Sequence, residues 1–321
     1  MRRLWIGTAA AAVAIALLAI VAAMFGHSPA GVLRVLAEGA FGSALALRGT
    51  VLKAAPLLLT GLCVVMAFRA GVWNIGAEGQ FITGAIAAWL ASPYGVVASL
   101  VAACVAGALW ASIATVLRLW RNAPEVLTTI LLNFVALHLL GWCVNGPLRE
   151  RSARYPQTDP AGSALPAVMD IHGGVVVALA VGIGCWWLLY RTTEGLRLRA
   201  TGLNPSAARY TGINVPAQIA RAMALSGAIA GLAGGIELLG VTHRLFERFA
   251  AGHGYSGIAV ALLAGLHPLG ALLSSLFFGA LATGAGELQR SAGIPAAIAT
   301  FGQAVVILAV VAAGARKRLD A

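Results

Sequence analysis

The stretch that decides the fold reads GVWNIGAEGQ over residues 71–80, at the junction of apolar runs at 51–68 and 75–92. A carboxylate near the hydrocarbon core of a membrane costs about 2.5–3.5 kcal/mol on insertion scales. Irregular backbone persists at that depth only against protein or a water-filled cavity. One interpretation is a broken helix that lines a path through the membrane, with Glu78 and Gln80 facing it. The other is a cytoplasmic turn with Glu78 in the first turn of the next helix, where the helix dipole favours an acid.

The composition around this stretch is that of a membrane protein. Of 321 residues, 60% are apolar and 10% are charged, and the mean hydropathy is +0.88. Soluble proteins carry about 25% charged residues, and a helical crossing needs about 20 apolar residues. The predicted fold is therefore all-α, a polytopic integral membrane protein with about ten transmembrane helices, some of them broken. A secreted disulfide scaffold, a disordered chain and an ordinary cytosolic enzyme are excluded, and a β-barrel is disfavoured because its strands alternate apolar with polar residues.

The apolar runs divide one transmembrane domain, residues 1–321, into ten candidate spans. A first span at residues 4–25 is too long for a signal peptide, and residues 26–50 are polar enough to form an outer amphipathic segment. The run at 255–267 is short enough for a half-helix. The ten runs lie at 4–25, 51–68, 75–92, 95–117, 124–144, 172–190, 220–240, 255–267, 268–287 and 296–313.

The distribution of basic residues predicts the orientation. An even number of spans places both termini on one side, and with both inside, 13 of the 22 basic residues fall on inner segments. This excess agrees with the tendency of cytoplasmic loops to keep Arg and Lys. The segment 145–171 is then an outer loop and 191–219 an inner one. The net charge of +11 is explained by orientation and not by nucleic-acid binding.

Two further polar patches interrupt the apolar runs. Thr129 and Asn133 are four residues apart on one helical face, which fits either a hydrogen bond between helices or a pair facing a pore. His253 and Tyr255 follow a glycine-rich break before the run at 255–267. Corresponding breaks in two halves of a chain are typical of transporters with a site near the middle of the membrane.

The inner loop contains a short helix with well-marked ends. Asn204 is a good N-cap and Pro205 fits the first helical position. Residues 206–211 form about two turns, and Gly212 fits the left-handed position after the helix. Such defined ends favour docking to a cytoplasmic partner, and a helix lying on the membrane surface is the alternative.

The sequence contains no pattern for nucleotide hydrolysis, metal binding or nucleophilic catalysis. There is no GxxxxGK[ST] loop and no HExxH motif, and the four cysteines lie singly in apolar runs. The longest extramembrane segments are too short to fold alone. We predict no cofactor and no metal site in this chain.

Five ordered motifs between residues 50 and 313 resemble one transporter family. Residues 71–80 resemble its NIGAEGQ motif, and EVLTTILLN at 125–133 with GPL at 146–148 is similar to the motif that follows. GLNPSAARYTGI at 202–213, SGAIAGLAG at 226–234, and GIAVALL at 257–263 with His267 and Pro268 complete the pattern. The family comprises permease subunits of nucleoside and simple-sugar ABC importers, in the superfamily of ribose and branched-chain amino-acid permeases.

The resemblance implies a division of labour among several proteins. The chain would form the translocation path for a small polar solute, a nucleoside first and a simple sugar second, by alternating access. A second homologous permease, a cytoplasmic ATPase that uses ATP, and an extracytoplasmic substrate-binding lipoprotein would be its partners, with membrane lipid around it and no nucleic acid. The implied location is the bacterial inner membrane, multi-pass, with both termini cytoplasmic, and the chain itself would not be an enzyme.

The motifs also imply which residues serve which step. We expect the translocation path to include Trp73, Asn74, Glu78, Gln80, Thr129, Asn133, His253 and Tyr255. We expect the loop at 191–219 to couple to the ATPase through Gly202, Asn204, Pro205, Ala207, Ala208, Arg209, Gly212 and Ile213. A stand-alone secondary transporter or channel is the alternative function, and an intramembrane enzyme is a more distant one.

Overall fold

The computed structural model describes residues 28–295 and the positions 297, 301 and 304. The predicted first span at 4–25, most of the last apolar run at 296–313, and both termini lie outside the described residues. The described part is mostly helical. Its one hairpin pairs β1 (Ala167–Val168) with β2 (Ile171–His172), so an all-α class needs only this small amendment.

Eleven α-helices follow one another in the described residues. They are α1 (Pro29–Phe41), α2 (Ala44–Arg69), α3 (Ala77–Ala91), α4 (Val96–Arg121), α5 (Glu125–Asn145), α6 (Gly174–Arg191), α7 (Thr193–Leu203), α8 (Pro205–Tyr210), α9 (Val215–Glu237), α10 (His253–Leu263) and α11 (Pro268–Ala292). A π-helical turn, Leu238–Thr242, extends α9.

Six of the described helices are long and apolar enough to cross a membrane: α2, α4, α5, α6, α9 with its π-helical turn, and α11. The predicted count of about ten spans remains a prediction, since two runs lie outside the described residues. Two others, at 75–92 and 255–267, form α3 and α10, with 15 and 11 residues. At 1.5 Å per residue these measure about 22 Å and 16 Å, short of a hydrocarbon core of about 30 Å.

The short helices run to opposite ends of the bundle. The end of α3 is tied to the segment between α5 and α6, because Ser92 Oγ accepts the Gly162 N–H at 2.8 Å. The end of α10 is tied to α2, because Arg69 Nε donates to the Leu266 carbonyl at 2.7 Å. Their first residues meet inside the bundle, where a Cβ at Gly254 would lie 2.2 Å from the Glu78 nitrogen. We call α3 and α10 the half-helices.

Glycine contacts hold α3 and α4 against α9. A Cβ at Gly107 of α4 would lie 2.2 Å from the Gly227 carbonyl oxygen of α9, and one at Gly84 of α3 would lie 2.3 Å from the Gly231 Cα. Helices in membranes associate by such close approach of small residues, since apolar side chains gain nothing by leaving lipid. Helix α9 is therefore the axis against which α3 and α4 pack.

Two predicted segments differ in detail from the structure. The segment predicted at 26–50 contains α1, and α2 begins within it at Ala44. The inner loop predicted at 191–219 contains a helix that the sequence analysis did not identify, α7. Its start has a clear signal, because Thr192 Oγ1 accepts the Gly195 N–H at 3.1 Å and Glu194 lies in the first turn.

The predicted outer loop at 145–171 covers the end of α9. Backbone hydrogen bonds join Thr158 to Leu245, Ala161 to His243 and Leu165 to Leu239, all within 3.0 Å. Glu150 accepts hydrogen bonds from Gln157 and Ser152 and pairs with Arg244. The Gln157 hydrogen bond is the first cause that holds the pKa of Glu150 below its ordinary value, with Ser152 and Arg244 contributing.

Candidate functional site

The polar side chains at the break between α2 and α3 are buried and hydrogen-bonded. Residues 72–75 lie in extended or irregular backbone, and Asn74 has no exposed surface. Its amide forms a reciprocal pair with Gln80, with both N–O distances at 3.0 Å. The Asn74 amide nitrogen also donates to Ser226 Oγ at 2.8 Å, and Ser226 donates to the Cys63 carbonyl at 2.8 Å. The sequence analysis missed Ser226 and Cys63 as members of this cluster, although Ser226 begins one of the quoted motifs.

Helix α5 supplies the second set of polar partners for the break. Asn133 Oδ1 accepts the Gly79 N–H at 2.9 Å, and its amide nitrogen donates to the Ile75 carbonyl at 2.9 Å. Thr129 Oγ1 accepts the Ile75 N–H at 3.3 Å and donates to the Glu125 carbonyl. Of the two interpretations for Thr129 and Asn133, the described geometry corresponds to hydrogen bonds between helices.

Glu78 joins the two half-helices. It lies in the first turn of α3 and is 3% exposed, and its carboxylate accepts the Gly252 N–H at 2.9 Å and the Gly254 N–H at 2.7 Å. The carboxylate thus caps the N-terminus of α10, where unpaired N–H groups and the helix dipole attract a negative charge. The glycine at 254 is required, because a side chain there would overlap the backbone of Glu78.

The aromatic residues of the predicted path lie at the edges of this cluster. Tyr255 is 39% exposed and its hydroxyl accepts from Asn133 at 3.2 Å. The His253 ring stacks on Phe81 with centroids 5.4 Å apart, and Trp73 packs against Phe68 with 55% of its surface exposed. The structure therefore brings seven of the eight predicted path residues into one neighbourhood, and it leaves Trp73 outside the buried part.

The chemistry of this cluster is that of neutral amides around one carboxylate. Because each buried amide and the carboxylate have partners, the residues hold the break and the two half-helices in one arrangement. Within the described residues, no three His, Cys, Asp or Glu side chains come together as metal ligands would. We call this bonded contact between the two half-helices the polar seam.

The predicted coupling segment has the capping geometry that the sequence indicates. Asn204 Oδ1 accepts the Ala207 N–H at 3.0 Å, Pro205 is the first residue of α8, and Gly212 has φ +82°. Ala208 is buried, with its carbonyl accepting the Ile213 N–H at 3.0 Å. Leu203 and Tyr210, which the sequence analysis did not single out, are 88% and 93% exposed.

This segment touches the break directly. A Cβ at Gly202 would lie 2.2 Å from the Arg69 carbonyl oxygen and 2.8 Å from the Gly71 nitrogen. The side chain of Arg69 in turn donates to the carbonyl of Leu266, beyond the end of α10. A backbone contact therefore joins the end of α7 to the start of the break, and the Arg69 side chain joins the same point to the end of a half-helix.

Glu194 of α7 ties the segment to α9. It accepts from Gln218 at 3.1 Å and from Arg221 at 2.8 Å, and it also pairs with Arg197. The Gln218 hydrogen bond is the first cause that lowers the pKa of Glu194, and the two arginines lower it further. The sequence analysis did not single out these residues, because partners from different helices cannot be paired from one sequence.

The comparisons with known proteins identify the family. A family model described as branched-chain amino acid transport system, permease component, matches residues 46–311. The chain belongs to this permease family. It is 33% identical to the guanosine ABC transporter permease protein NupP of Bacillus subtilis over 305 aligned residues. The aligned region covers 90% of this chain and 88% of NupP.

Two further relatives agree with this assignment. The glucose ABC transporter permease protein TsgB13 of Haloferax volcanii is 34% identical to this chain, over a region that covers 83% of this chain and 76% of TsgB13. The nucleoside ABC transporter permease protein NupB of Lactococcus lactis is 30% identical to this chain, over a region that covers 90% of this chain and 85% of NupB. The chain is thus a permease of the ABC transporter type, which confirms the predicted family.

Proposed function

We propose that the chain is the translocating subunit of an importer for nucleosides, with simple sugars as the second candidate class. The observation that carries this proposal is similarity along 90% of the chain to permeases named for guanosine and for nucleosides. A path of neutral amides suits an uncharged polar solute, because the one carboxylate of the cluster, Glu78, is already bound by the Gly252 and Gly254 N–H groups.

The transport step we propose is alternating access through separation of the half-helices. The carboxylate of Glu78 and the amides of Asn74, Gln80 and Asn133 close the seam in the described conformation. Movement of α7 and α8 is passed to the seam through the contact of Gly202 with Arg69 and Gly71. Because that contact is backbone against backbone, the two segments cannot slide past each other without displacing the break.

The partners follow from the same proposal. A cytoplasmic ATPase binds the segment around α8, and a substrate-binding protein delivers the solute on the opposite face, next to residues 145–171. A second, related permease completes the membrane part. The chain lies in the bacterial inner membrane with both termini in the cytoplasm, and ATP is hydrolysed by the ATPase subunit.

Reconstitution tests the proposal. The chain, its second permease, its ATPase and its binding protein are incorporated into vesicles, and uptake of labelled guanosine and labelled glucose is measured with and without ATP. We expect ATP-dependent uptake of guanosine at a higher rate than the uptake of glucose. Uptake that proceeds equally without ATP or without the ATPase would contradict an ABC importer, and preferential glucose uptake would replace the substrate class.

A further inference from the structure

A lateral groove lies apart from the buried polar cluster. It encloses about 660 Å³ and is open on one side. Its walls come from α4, α6, α7 and α9, and its lining residues are Ala108, Leu188, Glu194, Leu198, Gln218, Arg221, Ala224, Leu225 and Ala228. We call this space the lateral groove.

One end of the groove is polar, and the rest of its lining is apolar. Glu194, Gln218 and Arg221 form the polar end, and alanines and leucines line the rest. Along α9 the groove extends from position 218 to position 228, about 15 Å at 1.5 Å per residue. That is about half of a hydrocarbon core of about 30 Å, the depth that one lipid leaflet occupies.

The polar end contains an acceptor that lacks a partner. Gln218 is 3% exposed, and its amide nitrogen donates to Glu194 at 3.1 Å, whereas its Oε1 has no hydrogen-bond partner in the structure. A buried acceptor without a partner is unfavourable by about 1–3 kcal/mol in proteins generally. The Arg221 guanidinium stands beside it, 58% exposed, with donors left beyond the one that reaches Glu194.

We propose that the lateral groove binds a phospholipid with a primary-amine head group. The ammonium donates hydrogen bonds to Gln218 Oε1 and to the Glu194 carboxylate, and the phosphate accepts from Arg221. One acyl chain lies along Ala224 and Ala228. Glu194 faces the ammonium and Arg221 faces the phosphate, as a zwitterionic head group requires, with Arg197 on the other oxygen of Glu194. A choline head group has no N–H to donate to Gln218.

A protein helix fits the same space less well. Acidic residues are depleted in the cores of protein interfaces, and a helix seated here would place Glu194 in such a core. The two protein candidates, residues 4–25 of this chain and a second permease, are outcomes of the test below. The inference does not depend on which solute is transported.

Photolabelling of the complete importer tests this proposal. The complex is placed in vesicles that contain either a phosphatidylethanolamine or a phosphatidylcholine probe, each with a photoreactive acyl chain, and labelled peptides are identified by mass spectrometry. We expect labelling of α4 and α9 beside the groove, about tenfold stronger with the amine probe, the effect of one charge-assisted hydrogen bond. Equal labelling by both probes, or no labelling at the groove, would overturn the proposal.

Two variants and a matched control separate lipid from protein occupants. Ala224→Trp fills the groove and abolishes the labelling, whereas Ala180→Trp makes the same change on an exposed face of α6 and leaves it intact. Gln218→Leu reduces the preference for the amine probe to near unity. An amine preference that persists in Gln218→Leu contradicts the head-group assignment even if Ala224→Trp fails to assemble. Crosslinking of groove residues to residues 4–25 or to the second permease would show that a protein helix occupies the groove, and it would overturn the proposal of a bound phospholipid.

Discussion

At the scale of single residues, the buried amides replace the hydrogen bonds that the broken helix gives up. A break in a helix exposes backbone groups that lipid cannot satisfy. Asn133 satisfies two of them, the Gly79 N–H and the Ile75 carbonyl, and the side chain of Asn74 satisfies the Gly76 N–H at 2.9 Å. The polar residues of the NIGAEGQ motif are thus partners of the backbone as well as candidates for contact with a solute.

We expect Asn133→Ala to destabilise the protein by about 1–3 kcal/mol, because it leaves a buried N–H and a buried carbonyl unpaired. Thermal unfolding of the detergent-purified complex measures this. Thr128→Ala is the control on the same helix, since the Thr128 hydroxyl bonds only to the carbonyls of Pro124 and Glu125. Equal unfolding temperatures for the two variants would show that the α5 contacts do not hold the break.

We expect Glu78→Gln to assemble but to lose at least about tenfold in ATP-dependent uptake. The amide keeps one acceptor and places an N–H group against one of the two glycine N–H donors, which weakens the cap of α10 by about 1–3 kcal/mol, and 1.4 kcal/mol corresponds to a factor of ten. Uptake in reconstituted vesicles is the measurement. Glu287→Gln serves as the control, because Glu287 pairs within its own helix with Arg290. Unchanged uptake in Glu78→Gln would remove Glu78 from the transport step.

At the scale of elements, two apolar runs form half-helices that are too short to cross the membrane. Each begins inside the bundle, and the N-terminus of α10 is capped by a side chain of α3. The sequence indicates both breaks through their glycines, and it indicates the short length of the run at 255–267. It does not indicate that the two breaks meet, because residues 78 and 254 are brought together only by the packing of α10 against α2 and α3.

We expect Gly202→Ala to uncouple ATP hydrolysis from uptake. The added Cβ would lie 2.2 Å from the Arg69 carbonyl oxygen, so α7 must move away from the break that it touches. The measurement is the ratio of solute imported to ATP hydrolysed, which we expect to fall at least several-fold. Gly184→Ala is the matched control, since nothing lies within 4 Å of a Cβ at that position of α6. Tight coupling in Gly202→Ala would show that motion reaches the seam by another route.

At the scale of the whole molecule, burial separates central from peripheral helices. In the apolar windows of α2 and α9, 78% and 67% of residues are buried, whereas α4, α5 and α6 have 22%, 28% and 28%. The peripheral helices expose large apolar side chains that lipid or a second permease can cover. Leu203 and Tyr210 are exposed on a different surface, the polar segment around α8.

We expect the double change Leu203→Ser and Tyr210→Ser to weaken ATPase binding at least about tenfold. Leu203 ends α7 and Tyr210 ends the capped helix α8, both are exposed, and tyrosine is enriched among the residues that carry most of the binding energy at protein interfaces. Co-purification of the ATPase with the membrane subunits measures this. Ser206→Ala, on the same short helix, is expected to bind normally. Normal ATPase recovery with the double variant would place the docking surface elsewhere on the chain.

The sequence by itself determined the properties that depend on neighbouring residues. Apolar runs and low charge determined a helical membrane protein, and the Asn204, Pro205 and Gly212 pattern determined the ends of α8, because caps and turns are local interactions. Ordered motifs determined the family. Tertiary structure alone decided that Glu78 caps α10, that Gly202 lies on the break, that α7 is tied to α9 through Glu194 and that a groove lies beside it. Those contacts join residues far apart in the chain, and only the close packing of helices at glycines fixes which of them meet.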